Sequence, residues 1–423
     1  MPVQLIFNPP FVGRRYRSKE QQEEISLYFN YKDIDYVACW YKKSAQYIQG
    51  TNIECTFVST NSITQGEQVA ALWKELFEEF NVIINFAYKT FRWDSEANEK
   101  AAVNCVIIGF SLLNRKVKFI VPEKSESSRK IFVSYINGYL LDAPNVFIRN
   151  RSKPLADVPP MKNGNVPLDG DALKIEPEDL EEFKNCPYIK RLMGGQELLH
   201  NEKRYVLWLV GVSPTEIRKY PAVIKRVELC RQNRLAMKDK STQKLAETPT
   251  TFRDTNNPAH YVALPMVSSE NRRYIPMDYL NGDVIPTNQI QTIPNATIYN
   301  LGILSSNVHM AWVRAVCGRL EMRYRYSKDI VYNNFPWPSP TDEQKAKIEQ
   351  TAQGILDARA LYQDSSLADL YDPLTMPPEL KKAHTANDKA VMQAYGFSVK
   401  DMSEADCVAA LMKMYQKLTE AEK

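Results

Sequence analysis

Close to the amino end, the apolar run Val3-Gln4-Leu5-Ile6-Phe7 stops at Asn8-Pro9-Pro10-Phe11. No other stretch constrains the fold as tightly. Proline fixes φ and has no amide hydrogen to give to a ladder, so a pair of prolines ends a strand and stiffens the turn that follows. Pro10 also holds Pro9 in the extended region. The pattern predicts a buried strand running into a rigid polar turn at its carboxyl end, which is where open α/β sheets place their ligand crevices.

The chain downstream alternates in the way such a sheet requires. After the basic loop Gly13-Arg14-Arg15-Tyr16-Arg17, apolar residues recur at helical spacing between Ile34 and Ile48. Thr56-Phe57-Val58-Ser59 reads as a strand ending in the polar loop Thr60-Asn61-Ser62, and Glu67 to Phe80 as a second amphipathic helix. Val82 to Phe86 and Val103 to Phe110 read as two more strands, separated by an aromatic and polar segment from Tyr88 to Glu99. Strand, helix, strand, helix, strand, strand implies an α/β sheet with crossover helices over residues 1–125. Residues 126–166, rich in Pro and Asn from Ile131 onward, read as a connector. Residues 167–302 read as an α+β domain, with a helix start at Pro177 to Lys184, a strand at Tyr205 to Val210 and a long basic helical stretch from Thr215 to Lys244. Residues 303–423 read as a helical region: Val308 to Glu321, Asp342 to Tyr362 behind the cap Thr341, Glu379 to Tyr395 closed by Gly396, and Ser403 to Leu418.

Composition excludes several functions. The net charge of +4 over 423 residues is mild, so nucleic-acid contacts have to come from local clusters. Seven scattered cysteines and four dispersed histidines have no metal-ligand spacing and offer no Ser-His-Asp set. The cysteine pattern favours reduced thiols in a cytoplasmic protein. The longest apolar stretch, around Val103 to Leu113, is too short for a bilayer, and no signal peptide is evident.

The turn has a chemistry of its own. An exocyclic amino group on adenine is a poor nucleophile because its lone pair is delocalised into the ring, and two acceptors can draw its hydrogens out of plane. The side-chain oxygen of Asn8 and the carbonyl of Pro9 can supply that pair, and Phe11 a flat face for a flipped base, at about 1–3 kcal/mol per stacked base. On their own, these four residues also fit a plain proline turn after a core strand, the commoner case.

Longer motifs decide between the two. Asn8-Pro9-Pro10-Phe11 resembles motif IV of S-adenosylmethionine-dependent amino-methyltransferases, the form used on adenine N6 and, less often, cytosine N4. Lys89-Thr90-Phe91-Arg92-Trp93 resembles their motif VIII, whose aromatic packs on the other side of the flipped base, a role that falls to Phe91, with Trp93 second. Tyr205 to Ser213, Lys244 to Pro249, Pro265 to Glu270, His309 to Arg319 and Tyr324 to Trp337 are similar to the target-recognition and C-terminal regions of the MmeI-like class of type II restriction-modification methyltransferases. The resemblance covers nearly the whole chain. It implies a partial Rossmann-like methyltransferase sheet from motif IV onward, then a DNA target-recognition domain and a helical C-terminal region.

One departure stands out. In that class the glycine-rich motif I and the acidic residue that holds the cofactor ribose precede motif IV, and no strand here ends in a comparable glycine-rich turn. The expectation is therefore a truncated product, or a half completed by a second chain carrying the S-adenosylmethionine site and inactive alone. Without that neighbour the apolar strand Leu5-Ile6-Phe7 would be an exposed edge. Glu182-Phe183-Lys184 offers only a nuclease-like fragment on a charged, solvated stretch.

Double-stranded DNA is the expected partner. Nine Lys or Arg against two acidic residues lie between Arg218 and Lys244, among them Arg218, Lys225, Arg231, Arg234 and Lys238, an array suited to phosphates. Ser268, Ser269, Glu270, Arg272 and Arg273 offer bidentate groups for base edges. Tyr324, Arg325, Tyr326 and Lys328 interleave aromatic and basic groups that could grip the backbone, whereas Phe335-Pro336-Trp337 reads as core. The rival readings are a DNA-specificity module or degenerate remnant without catalysis, and a protein or RNA methyltransferase, against which the large basic downstream region argues.

Overall fold

Regular alternation from Glu54 to Thr60 sends Cys55, Phe57 and Ser59 inward, the two-residue period of a strand with one buried face. This is the second strand of a six-stranded sheet in a computed structural model that describes residues 3–94, 102–123 and 129–422. The first strand, β1 (Gln4–Phe7), is followed by helices α1 (Lys19–Tyr28) and α2 (Val37–Tyr47) and then by β2 (Glu54–Thr60). Helix α3 (Gly66–Glu78) leads to the antiparallel pair β3 (Ile83–Asp94) and β4 (Ala102–Ser111), and β5 (Lys118–Val121) and β6 (Ile131–Val133) complete the sheet. The strand order is β1-β2-β4-β3-β5-β6. Beneath it, Tyr41 from α2 lies 4.8 Å from Phe57, 5.5 Å from Phe110 and 5.6 Å from Trp73, ring centroid to ring centroid. Trp73 donates its indole hydrogen to the Ile63 carbonyl at 2.9 Å, so its one polar group is satisfied inside the core.

The expected alternation of strands and helices is present, with several differences, the first being helix α1, which was not foreseen. Strand β3 continues past Phe86 to Asp94, so Phe91 and Trp93 sit on a strand where an aromatic and polar spacer was expected, part of which (residues 95–99) lies outside the described residues. Strand β5 was not foreseen, and β6 occupies the start of the stretch read as irregular. Strand β1, expected to be buried, is mostly exposed: it pairs with β2 alone among the described residues, Ile6 is 71% exposed and Leu5 only half-buried.

By internal contacts the chain divides into two units: residues 1–156, 311–337 and 397–423, and residues 157–310 and 338–396. The stretch 303–423, read from sequence as one helical region, is thus shared between them. The expected boundary at 125 lies outside the described residues. In the second unit, one four-stranded sheet orders Val284–Pro286, Ile189–Met193, Tyr205–Leu207 and Lys174–Ile175, and another orders Asp278–Asn281, His260–Pro265, Ile290–Pro294 and Lys162–Asn163. The long basic helical stretch is three helices, Pro214–Ile217, Pro221–Ala236 and Lys240–Lys244. Pro221 starts the middle one because a proline is tolerated in a first turn but not inside a helix. Helix Asp342–Ala360 begins at Thr341 and helix Glu404–Glu420 at Ser403, each with a reciprocal capping box. The helix expected to reach Glu321 ends at Val316, and Arg319–Leu320 pairs with Arg323–Arg325 as a short hairpin.

Gly109 on β4 faces Phe86 on β3, and a Cβ there would fall 2.0 Å from the Phe86 ring. The ring lies over bare backbone that any side chain would displace. Gly109→Ala should cost about 1–3 kcal/mol in urea unfolding. Adding Phe86→Leu should recover part of that loss; a double variant no more stable than the single one would refute the packing assignment.

Candidate active site and nucleic-acid interface

Strand direction builds the site. Strand β1 is parallel to β2, β2 is antiparallel to β4, and β4 is antiparallel to β3, so β1, β2 and β3 all run the same way. Their carboxyl ends therefore share one rim of the sheet. Asn8-Pro9-Pro10-Phe11 leaves β1 there, Asn61–Thr64 leaves β2 as a short 3₁₀ turn, and Phe91 and Trp93 stand at the end of β3. Thr60 and Phe91 both oppose Cys105 of β4, which puts them two strand spacings, about 10 Å, apart.

The turn is anchored at its base and open at its tip. Phe7 opposes Phe57, and their rings stack at 5.4 Å and 25°. Pro9 is buried while Asn8 and Pro10 are exposed and Phe11 is half-buried. Among the described residues, neither the Asn8 side chain nor the Pro9 carbonyl has a hydrogen-bond partner, so both acceptors are free for a ligand. Phe91 is half-buried and lies 6.4 Å from Trp93, which is 45% exposed. No ring contact joins Phe11 to Phe91; the two aromatics stand apart along the rim.

Asp35, which the sequence reading passed over, holds the neighbouring loop. Thr60 donates to its carboxylate at 3.0 Å and Ser62 donates to the same oxygen, while Asn61 reaches Thr90 on β3 at 3.5 Å. A single acid far along the chain carries no signal that it will cap a loop. No group of His, Cys, Asp and Glu among the described residues could hold a metal, and all seven cysteines are buried free thiols.

The expected DNA contacts separate by burial. Arg218, Lys225, Arg231 and Lys238 are exposed, Lys225 and Arg231 on helix Pro221–Ala236 and the other two in the links beside it, with Arg231 3.8 Å from Glu228. Arg234 is not a surface group and leaves the list of DNA contacts. It is 0% exposed, and its guanidinium donates to the carbonyls of Leu168, Leu245, Thr248, Pro167 and Thr251 at 2.6–3.1 Å. The spacing held a clue: Val223, Val227, Cys230 and Arg234 form one inward stripe, and the arginine occupies its next turn.

On the turn-rich segment, Ser269 and Glu270 are half-buried and Ser269 accepts from the Asn271 amide at 3.2 Å. Burial pulls the Arg272 guanidinium below its ordinary pKa, with Asp372 opposing the shift. Arg273 is exposed, lies 5.3 Å over the Tyr274 ring, and is 3.5 Å from the buried carboxylate of Asp388, which also accepts from Tyr274 at 2.6 Å. Arg325 is exposed and Lys328 pairs with Asp329 at 2.6 Å. Tyr324 and Tyr326 are buried core residues, so the expected alternation of aromatic and basic groups for gripping a backbone reduces to the two cations.

The family described as MmeI, DNA-methyltransferase domain, matches residues 3–122; MmeI, target recognition domain, matches 142–339; and MmeI, C-terminal domain, matches 340–421. A curated relative, DNA methyltransferase A of Bacillus subtilis (strain 168), is 41% identical over 429 residues, covering 99% of this chain and 48% of the relative. A solved structure of the type IIL restriction-modification enzyme MmeI in complex with DNA superposes with a TM-score of 0.88 at 42% identity, covering 99% of this chain and 57% of that one. The chain thus spans about half the length of the relatives it matches.

Replacing Arg234 by Met would leave five part-buried carbonyls without their donor. The expected cost is about 2–5 kcal/mol in denaturant unfolding, with DNA affinity per folded molecule unchanged. A variant of wild-type stability that binds DNA more weakly would restore Arg234 to the interface.

Proposed function

The chain belongs to the MmeI-like family of DNA methyltransferases, and from that premise we propose that it serves methyl transfer to the N6 amino group of adenine in a restriction-modification system. The observation that supports this reading most directly is the pair of uncommitted acceptors, Asn8 Oδ1 and the Pro9 carbonyl, at the carboxyl end of β1. Each would accept one hydrogen of the amino group, concentrating the lone pair on nitrogen. Phe11 would stack on one face of the extruded base and Phe91, with Trp93 second, would close the other. Double-stranded DNA would lie along the exposed Arg218, Lys225, Arg231 and Lys238, with Ser269, Glu270, Arg272 and Arg273 toward base edges and Arg325 and Lys328 toward phosphates. Seven free thiols suit a reducing cytoplasm.

S-adenosylmethionine is the donor that this reading implies. The residues of this chain do not by themselves fit it: among the described residues no strand runs into a glycine-rich turn that opens a helix, and the edge strand β1 is paired on one side alone. The same observation favours a second reading, a DNA-specificity module without catalysis.

One experiment separates them. Asn8→Ala, placed in the gene of its own host, should abolish the N6-methyladenine that depends on that gene, while the purified chain keeps its DNA affinity. Methylation that survives the substitution would remove Asn8 from the chemistry. A host whose DNA carries no mark dependent on the wild-type gene, with a chain that binds DNA, would favour the specificity module.

A further inference from the structure

Beside the base site the sheet is irregular in a way that places a cation. Tyr88 opposes Ile107 and Phe91 opposes Cys105, so three steps along β3 face two along β4, and the additional residue forms a bulge at Lys89-Thr90. Bulges re-aim side chains and collect next to functional sites. Here Lys89 and Thr90 turn to line a cavity of about 90 Å³, shared with Thr64, Gln65, Glu123, Arg314 and Arg319.

Three cations, Lys89, Arg314 and Arg319, line it against one carboxylate, Glu123. Burial disfavours the charge of Lys89, and although Glu123 and Glu404 lie near enough to support it, Lys89 has no ion-pair or hydrogen-bond partner among the described residues. Arg314 pairs with Glu404 at 2.8 Å. Arg319 is held over Tyr324 at 4.1 Å and spends one donor on the Met322 carbonyl, which leaves most of its five N–H groups. The Thr90 hydroxyl accepts from Asn61 and keeps its own hydrogen to donate.

We propose that Lys89, Arg319 and Thr90 form a seat for one phosphodiester group of the DNA backbone, at the rim where the target nucleotide is extruded. The inference rests on the reading of this chain as a DNA methyltransferase. Two cations and a hydroxyl match the two non-bridging oxygens of a singly charged phosphodiester. A contact of this kind carries no sequence information; it fixes the backbone so that the extruded base arrives between Phe11 and Phe91.

The test uses the full chain and a fluorescent duplex pool with a randomised centre, titrated at several salt concentrations. Lys89→Gln, and independently Arg319→Gln, should each lower the slope of log affinity against log salt by about one unit, and Lys89→Arg should restore it. Lys89→Gln should melt at or above the wild-type temperature, since it removes an unpaired, half-buried charge. An unchanged slope in Lys89→Gln, or a lowered melting temperature with no change in slope, would overturn the seat. If inorganic phosphate alone stabilised the wild type but not Lys89→Gln, the site would belong to free phosphate rather than DNA. Wild-type binding insensitive to salt would instead defeat the DNA reading itself.

Discussion

Parallel pairing of β1 with β2 is the constraint on which everything at the rim depends. Because Phe7 opposes Phe57 and the rings stack, the strand that carries Asn8-Pro9-Pro10-Phe11 is fixed in register as well as direction. A slip of one residue would turn every side chain of β1 to the other face. Strand β4, antiparallel between β2 and β3, then brings β3 back into the same direction. The polar turn, the Asp35-capped loop and the aromatics of β3 thus share one rim although they lie dozens of residues apart in sequence. None of them needs a special local conformation to do so; sheet direction suffices.

What could be read in advance follows from how local each signal is. The strand ending at Asn8 was legible because two prolines leave the backbone no alternative, and the helices starting at Thr341 and Ser403 because a capping box is complete within four residues. The far half of β3 was not, since Lys89-Thr90-Phe91-Arg92-Trp93 mixes charge and bulk with no clean two-residue period, and a bulge breaks what period there is. Asp35 and Asp388 were invisible for a different reason. Each acts on a residue remote in sequence, Asp35 on Thr60 and Ser62, Asp388 on Arg273 and Tyr274. The hairpin at Arg319–Arg325 was absorbed into a helix because the apolar run before it is helical, although Gly318, just past Val316, offered a stop that was passed over.

Arg234 shows how charge can mislead where periodicity does not. Counting cations between Arg218 and Lys244 treats all nine alike, yet position within the helix decides which of them can reach a phosphate. The side chain that falls on the stripe of Val223 and Cys230 is drawn inward, and it is tolerated there because carbonyls converge on it.

The same criterion distinguishes structural cations from those that face a ligand. Removing a charge from water is costly unless its donors are satisfied. Arg234 meets five carbonyls, Arg359 meets the Met277 carbonyl at 2.6 Å and the Tyr371 hydroxyl, and Lys118 meets the Ser134 carbonyl at 3.4 Å beside the Tyr135 ring. Each is explained by the fold that surrounds it. Lys89 is not: it is half-buried at a cavity, displaced there by a bulge, with its nearest carboxylates beyond pairing distance. A fold gains nothing by holding an ammonium in that state, whereas a site that must receive an anionic backbone gains a donor already desolvated and aimed.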